Sequence, residues 1–185
     1  MEIHVNLPLS EETVRSLKAG DQVLLTGSVL TARDAAHKRL IALLDEGKPL
    51  PVELAGETIY YVGPAPARPG RAVGPAGPTS SYRMDPYTPR LLALGLKGMI
   101  GKGERGDEVI AAIKAHGAVY FGAVGGSAVL ISRSIQKSEV VAYPDLGAEA
   151  IHRFYIKDFP AVVAIDAQGN NLYAQGPELY RKADL

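Results

Sequence analysis

Alternating apolar and polar residues, together with short β-rich runs, predict strands along much of the chain. Ile3, Val5 and Leu7 alternate with polar neighbours, which is typical of a half-buried strand over residues 2–7. The β-rich run at 22–30 contains Gly27, where we expect a bulge or a close backbone approach. Further strands are predicted at 58–62, 99–100, 118–124, 139–143, 151–156, 161–165 and 171–174. The last two should form a hairpin.

Apolar residues at helical spacing predict helices at 11–18, 31–46, 85–94 and 107–116. The third should begin at Asp85, because an aspartate can cap free N–H groups and the following Pro86 suits the first helical position. Helices and strands alternate irregularly, and strands follow one another near the end of the sequence. We therefore expect an α/β fold with mixed sheet layers and flanking helices, in a single domain over residues 1–185.

Residues 63–78 consist largely of Gly, Pro, Ala and Arg and show no apolar period. Prolines remove backbone donors and glycines favour the unfolded chain, so no regular element is expected there. A run of this length without regular structure is usually a functional loop or a linker. We interpret it as an active-site loop because it leads directly to Thr79. An ordinary interdomain linker is the alternative.

The composition is that of a globular protein, with 46% hydrophobic and 22% charged residues. Lys+Arg and Asp+Glu are 20 each, so no net charge directs the chain towards nucleic acid or a membrane surface. The absence of cysteine excludes disulfides, a thiol nucleophile and a thiolate-bound metal centre within this sequence. No apolar run approaches the ~18 residues of a membrane span, and the first residues do not resemble a signal peptide. We expect a cytoplasmic protein without membrane or nucleic-acid partners.

Residues at glycine-bounded or helix-start positions form a candidate anion site, namely Arg33, Thr79, Arg83 and Lys102. Arginine binds a carboxylate through two parallel hydrogen bonds, and lysine adds a point charge. A loop that runs into a helix start also offers N–H donors that favour anions. These groups suit a small dicarboxylate. The structural alternative is a capped turn with a surface pair between Arg83 and Asp85.

Ser80, Arg105 and His37 are possible further members of this site. Ser80 adds a second hydroxyl, Arg105 lies just before a predicted helix, and His37 lies one turn beyond Arg33 on the same helix face. An ordinary helix histidine is the alternative for His37. The sequence contains no H-x-x-x-H motif and no acidic cluster, so no metal site is expected in this chain.

Residues 101–106 form a G-x-G-x-x-G motif between a predicted strand and a predicted helix. That order is typical of dinucleotide binding, but the acidic residue expected about 20 positions later is missing. We therefore favour a smaller anion over a nicotinamide cofactor.

Several longer motifs point to a known family. They are T-A-R-D-A-A-H-K-R at 31–39, G-P-T-S at 77–80 followed by R-M-D at 83–85, and G-K-G at 101–103. These motifs resemble the class I (iron–sulfur) fumarase and L-tartrate dehydratase family, specifically its β subunit or the C-terminal domain of its one-chain forms. Segments at 115–118, 122–126, 143–147 and 158–161 extend the resemblance over nearly the whole chain. The sequence departs from the family pattern at Tyr82 and at 104–106.

The resemblance implies a swivelling β/β/α domain and a partner α subunit, in a hetero-oligomer. The α subunit would carry a [4Fe–4S] cluster on three cysteines, with one iron open to act as a Lewis acid on a small C4 dicarboxylate. Carried over position by position, Arg33, Arg83 and Lys102 would bind the carboxylates. Thr79 would be catalytic and would help to move the proton at the reacting carbon.

The resemblance therefore implies the reversible hydration of fumarate to (S)-malate. Dehydration of L-tartrate to oxaloacetate is an alternative, since the two substrates differ by one hydroxyl. An alternative from another class is a dicarboxylate-binding or interaction module without activity of its own.

Overall fold

The computed structural model describes residues 2–123 and 128–180. The strands are β1 (Ile3–Asn6), β2 (Gln22–Thr31), β3 (Thr58–Tyr60), β4 (Gly98–Gly101), β5 (Val119–Gly122), β6 (Ile135–Ala142) and β7 (Ile151–Ile165). The α-helices are α1 (Glu11–Ser16), α2 (Asp34–Asp45), α3 (Thr88–Ala93), α4 (Asp107–His116), α5 (Ala128–Ser134) and α6 (Leu172–Tyr180). Short 3₁₀ helices cover Ser81–Met84 and Pro144–Glu149. Residues 124–126, which close one of the glycine-rich motifs and end a predicted strand, lie outside the described residues.

The seven strands form one mixed sheet in the order β1-β2-β3-β4-β5-β7-β6. Neighbouring strands from β1 to β5 are parallel, whereas β7 is antiparallel to β5, β6 and β2. Because β7 pairs with β2 as well as with β5, the sheet is partly closed on itself. The expectation of a mixed α/β fold is confirmed.

Alternate residues of the central strands pack into two separate cores. Tyr60, Ile100 and Phe121 lie with residues of β1, β2 and β7 in the inner core. Their neighbours Tyr61 and Met99 point the other way and pack under α2, α3 and α4. Both faces of the central parallel strands are therefore buried, which explains why their sequences are apolar runs rather than alternating ones.

Gly27 is required by its position in β2. Its φ is +137°, and a Cβ there would lie 2.5 Å from the carbonyl oxygen of Leu7. The pairing of β2 with β7 also shifts register between Leu25 and Gly27. The predicted bulge with a close backbone approach is confirmed.

Four predicted elements are wrong in detail. Residues 151–156 and 161–165 belong to one continuous strand of 15 residues, in which Asp158 has a positive φ of 50° and Pro160 pairs with Leu24 of β2. The segment predicted as a strand at 171–174 lies mostly in α6, whose start follows an isolated bridge between Ile165 and Asn171. The helix predicted from Asp85 begins at Thr88, and a 3₁₀ helix precedes it.

Residues 63–78 contain no regular element, but they are packed against the domain. Val73 and Ala76 are buried in the inner core, and the hydroxyl of Tyr60 donates a hydrogen bond to the Ala76 carbonyl at 2.5 Å. Ala65 and Gly74 are also joined across the loop by a backbone hydrogen bond. None of the helices in the described ranges is long and apolar enough to cross a bilayer.

Candidate functional site

Parallel strands bring the predicted site residues to one edge of the sheet. The carboxyl ends of β2, β3 and β4 lie next to one another, because these strands are parallel neighbours. Arg33 follows the end of β2 and Lys102 follows the end of β4. This edge is where α/β proteins usually bind ligands.

Thr79 is inserted into this edge by backbone pairing. Its N–H donates to the carbonyl of Tyr61 at 2.7 Å, and its own carbonyl accepts from the N–H of Lys102 at 3.4 Å. The N–H of Ser81 then donates to the carbonyl of Lys102 at 2.9 Å. Residues 79–81 thus continue the sheet between the chain segments that follow β3 and β4. Ser80, half-buried, forms a parallel bridge with Lys102.

Gly101 makes this insertion possible. A Cβ at this position would overlap the Ser81 hydroxyl and would lie 2.8 Å from the ring of Tyr61. Ser81 is fully buried, and its hydroxyl oxygen lies 2.8 Å from the donating Tyr120 hydroxyl. The glycine of the G-K-G motif therefore serves close packing of the backbone.

A carboxylate joins the two predicted arginines. Asp34 accepts two hydrogen bonds from Arg83, Nε to Oδ1 at 3.0 Å and Nη2 to Oδ2 at 2.7 Å. The Nε atom of Arg33 lies 3.9 Å from the same Oδ2 and 3.8 Å from Oε1 of Glu149. Arg83 donates to Asp34 through Nε and Nη2. The remaining N–H groups of Nη1 and Nη2, at the end of the guanidinium, can therefore bind a second carboxylate.

Arg33 lies against Gly63. A Cβ on Gly63 would lie 2.8 Å from Nη1 of Arg33, so a larger residue would displace the guanidinium. Gly63 follows Tyr61 by two residues, and the Tyr61 carbonyl receives the N–H of Thr79. The arginine pair and the Thr79–Lys102 pair therefore meet at the segment 61–63. The Arg33 and Arg83 side chains remain 27% and 41% exposed, which leaves both accessible to a ligand.

His37 lies behind Arg33 and is fully buried. Its Nδ1 is 2.8 Å from the Arg33 carbonyl, and since a carbonyl can only accept, Nδ1 must carry the proton. Its Nε2 has no hydrogen-bond partner among the described residues, and the ring packs against Tyr61 and Tyr87. Burial lowers the pKa of His37 to about 4. The residue is therefore neutral near pH 7 and holds the backbone of Arg33.

The buried histidine should make folding sensitive to acid. In the unfolded chain His37 binds a proton below its ordinary pKa of 6.5, whereas the folded chain keeps it neutral until about pH 4. The unfolded state therefore binds more protons in this window, so the free energy of unfolding should fall as the pH is lowered. Between about pH 7.5 and about pH 5 the contribution of His37 should fall by about 2 kcal/mol.

Urea unfolding of the wild-type chain and of His37→Asn at the two pH values measures this effect. An asparagine Nδ2 can keep the hydrogen bond to the Arg33 carbonyl but cannot titrate, so the variant should lose less stability on acidification. His4→Asn is the control, because the His4 side chain is 73% exposed. Equal acid sensitivity of the wild type and His37→Asn would contradict the assignment.

Arg105 supports the site from inside the protein. Its guanidinium is buried, with Nε 2.7 Å from Oδ1 of Asp85 and Nη2 2.8 Å from the Thr88 hydroxyl. It also lies over the rings of Tyr61 and Tyr120, at 5.3 and 5.0 Å from their centroids. Sequence position makes Arg105 a possible ligand-binding residue, but these contacts direct its donors inward.

Asp85 links this buried arginine to the start of α4. Its Oδ2 accepts the N–H of Gly106 at 2.7 Å while its Oδ1 binds Arg105. Asp85 was predicted to cap the helix that follows it in the sequence, but its carboxylate accepts a hydrogen bond at the N-terminus of α4. The predicted surface pair between Arg83 and Asp85 is wrong, because Arg83 binds Asp34 and Asp85 binds Arg105.

Sequence reasoning missed Asp34, Glu149 and Tyr61 as parts of the site. Asp34 stands beside Arg33 in the same motif, so adjacency was an available signal. Glu149 contacts Arg33 from the end of the 3₁₀ helix at Pro144–Glu149, more than 100 residues later in the sequence. The residues around Glu149 form no motif that predicts this contact. Tyr82, where the sequence departs from the family pattern, is 66% exposed on the 3₁₀ helix that carries Arg83.

This chain does not have the ligands for an iron–sulfur cluster. Such clusters are held by cysteine thiolates, and the sequence contains no cysteine. Within residues 2–123 and 128–180, no group of three or more His, Asp or Glu residues is placed to hold a metal ion.

The fold is mixed α/β, with a partly closed sheet of seven strands. The predicted residues at its edge, Arg33, Thr79, Arg83 and Lys102, are called the edge site and form a candidate anion site. The chain belongs to the family described as "Fumarase C-terminus", which matches residues 1–176. It is 38% identical over 179 residues to "Fumarate hydratase class I, aerobic" of Salmonella typhimurium, covering 95% of this chain and 31% of that protein. The resemblance stated from the motifs is confirmed.

Two other relatives differ in how much of their length is matched. "Fumarate hydratase 2" of Leishmania major is 38% identical over 158 residues, which cover 84% of this chain and 28% of that protein. "Putative L(+)-tartrate dehydratase subunit beta" of Methanocaldococcus jannaschii is 33% identical over 181 residues, which cover 94% of this chain and 93% of that protein. The chain thus spans about a third of the fumarate hydratases it matches and nearly all of the tartrate dehydratase subunit.

Proposed function

We propose that this chain is the β component of a hydro-lyase that interconverts fumarate and (S)-malate. The names of the relatives support this reaction class, and the match to a separately encoded subunit supports a two-chain enzyme. The specific swivelling β/β/α fold and a cytoplasmic location belong to the same proposal.

The observation that carries the proposal is a pair of arginines beside Asp34 at the edge of the sheet, of which Arg83 is hydrogen-bonded to Asp34 and Arg33 lies 3.9 Å from it without a hydrogen bond. Asp34 orients Arg83 through two hydrogen bonds and leaves a second face of the guanidinium for a ligand. The Arg33 carbonyl accepts a hydrogen bond from Nδ1 of His37, and the Arg33 guanidinium lies against Gly63. A short dicarboxylate has two planar groups that match such guanidinium faces, and Lys102 adds a further positive charge.

Thr79 is the residue we assign to proton movement at the reacting carbon. A free threonine hydroxyl is a poor base, so nearby cations and N–H donors must stabilise its alkoxide. Lys102 pairs with Thr79 through the backbone, and Arg83 follows four residues later on the 3₁₀ helix. Both neighbours are cations, as stabilisation of a threonine alkoxide requires.

We propose that the [4Fe–4S] cluster is carried by a partner α subunit, because such clusters are held by cysteine thiolates and this sequence contains none. The role of this chain is therefore to bind and orient the dicarboxylate and to move a proton. The exposed arginine edge suits such a shared site, which a second protein surface would complete.

Co-purification under argon tests the proposal. The chain is isolated from its own host through an affinity tag, and fumarate, (S)-malate and L-tartrate are assayed with the complex and with the chain alone. We expect malate dehydration by the complex after iron reconstitution, and none by the isolated chain. Activity of the isolated, iron-free chain would contradict the two-chain proposal. A partner-free chain that binds dicarboxylates without turnover would favour a binding module.

L-Tartrate dehydratase is the second candidate, favoured by the relative that matches this chain over 93% of its own length. The same complex decides between the two substrates. A higher kcat/KM for L-tartrate than for (S)-malate would assign this alternative.

Arg83→Ala in the assembled enzyme should lower kcat/KM about 10- to 150-fold. The substitution removes a charge-assisted contact with a carboxylate, which contributes about 1.5–3 kcal/mol. Arg83→Lys should recover only part of the loss, because lysine cannot form two parallel hydrogen bonds. Arg90→Ala is the control, since Arg90 binds Asp45 on the surface at 2.6 Å. An unchanged kcat/KM for Arg83→Ala would remove Arg83 from the site.

A further inference from the structure

A second concentration of arginines surrounds a cavity away from the edge site. The cavity has a volume of about 180 Å³ and lies between the loop at 63–78 and α5. Arg68 and Arg71 line it from the loop, and Arg133 lines it from the last turn of α5. Apolar surface is contributed by Val73, Pro75 and Val129. We call it the loop–α5 cavity.

The arginines of the loop–α5 cavity lack acidic partners among the described residues. Elsewhere in those ranges, most arginines contact a carboxylate within 4 Å, namely Arg33, Arg39, Arg83, Arg90, Arg105 and Arg153. Outside the cavity, only Arg15 in the described ranges lacks such a partner. All three arginines are exposed, so solvent screens much of the repulsion between them, and a bound anion would reduce what remains.

We propose that the loop–α5 cavity binds a small anion that carries two or more negative charges. Guanidinium groups bind phosphate and carboxylate oxygens bidentately, and three of them, two from the loop and one from α5, favour a multivalent ligand over a single charge. The volume of about 180 Å³ suits a pyrophosphate or a short tricarboxylate.

Such an anion would tie the loop to α5. The loop is already joined to the start of this helix by a hydrogen bond from the Ala76 N–H to the Ala128 carbonyl at 3.2 Å. Gly77 packs against Ala128 and is followed two residues later by Thr79. An anion that bridges Arg71 and Arg133 would therefore stabilise the segment that delivers Thr79 to the sheet edge. The proposal does not depend on the reaction assigned to that edge.

Calorimetric titration of the purified full chain tests the proposal directly. Inorganic pyrophosphate and tricarballylate are the two probes, which distinguish a phosphate ligand from a carboxylate ligand. An ionic strength of about 0.15 M screens non-specific attraction. We expect at least one probe to bind with a Kd below about 1 mM, and Arg71→Gln and Arg133→Gln each to weaken it about 10-fold or more. Arg15→Gln is the charge-matched control and should change Kd less than about twofold.

Trypsin cleavage gives a second readout at the loop itself. Trypsin can cut after Arg71, whereas the bond after Arg68 is resistant because Pro69 follows. The bound probe should slow the release of the fragment that ends at Arg71, and Arg133→Gln should abolish this protection while leaving the cleavage site intact. Absence of binding by both probes, or equal binding by Arg133→Gln and Arg15→Gln, would overturn the proposal.

Discussion

Thr79→Val should lower kcat for fumarate hydration about 10²- to 10⁴-fold and change KM much less. General acid–base groups contribute a factor of this size, and the valine removes the hydroxyl without changing the shape of the side chain. The residues proposed to bind the carboxylates, Arg33, Arg83 and Lys102, are unchanged in this variant, so substrate binding should be retained. The backbone of residue 79 should also keep its pairing, because its bonds to Tyr61 and Lys102 use only main-chain atoms.

Two controls separate a catalytic role of Thr79 from a structural one. Thr79→Ser keeps the hydroxyl and should retain activity within about 10-fold of the wild type. The urea unfolding midpoint of Thr79→Val should match that of the wild type. A variant that is stable and keeps a kcat within about threefold of the wild type would exclude Thr79 as the proton-transfer residue.

Arg105→Met should be the most destabilising of these substitutions, lowering the free energy of unfolding by about 3–5 kcal/mol. Removal of one partner from a buried ion pair leaves the other charge uncompensated, and the Arg105 side chain is 0% exposed. Asp85 would lose one of its two strong donors, and Thr88 would lose the donor to its hydroxyl. Urea unfolding at pH 7 measures the loss.

Arg90→Met is the matched control. Arg90 binds Asp45 at 2.6 Å, but their side chains are 46% and 63% exposed, and such surface pairs contribute about 0–1 kcal/mol. If Arg105→Met does not fold, the milder Arg105→Lys, which keeps the charge but not the three directed contacts, should still lose more stability than Arg90→Met. Equal losses at positions 105 and 90 would contradict the role of the buried network.

The edge site shows which of its features can be predicted from local sequence and which cannot. Arg33, Thr79, Arg83 and Lys102 stand at glycine-bounded or helix-start positions in the sequence, and the parallel strands β2, β3 and β4 bring these segments to one edge. Asp34 was missed although it adjoins Arg33, because an aspartate at a helix start is usually explained as a cap. Which carboxylate would pair with Arg83 could not be predicted, since Asp34 and Asp85 were both available and the choice depends on the packing of α2 and α4.

The sequence also could not predict which charged and titratable residues are buried. Arg105 and His37 carry side chains that are usually exposed, and no periodicity marks them as interior. The burial of Arg105 is possible because Asp85, Thr88 and Tyr61 offer acceptors. For His37, the carbonyl of Arg33 accepts the Nδ1 proton.

The sequence by itself determined the class of the fold, the positions of most strands and helices and, through its motifs, four candidate residues that meet at the sheet edge: Arg33, Thr79, Arg83 and Lys102. Backbone propensity and apolar periodicity depend on residues close together in the chain, so the sequence alone is enough to predict the elements they favour. Only the tertiary structure decided that β7 runs unbroken past Pro160 to close the sheet on β2, that Asp34 joins the two arginines, and that Arg105 faces inward. Each of these depends on contacts between residues far apart in the chain, whose energies appear only when the strands and helices pack together.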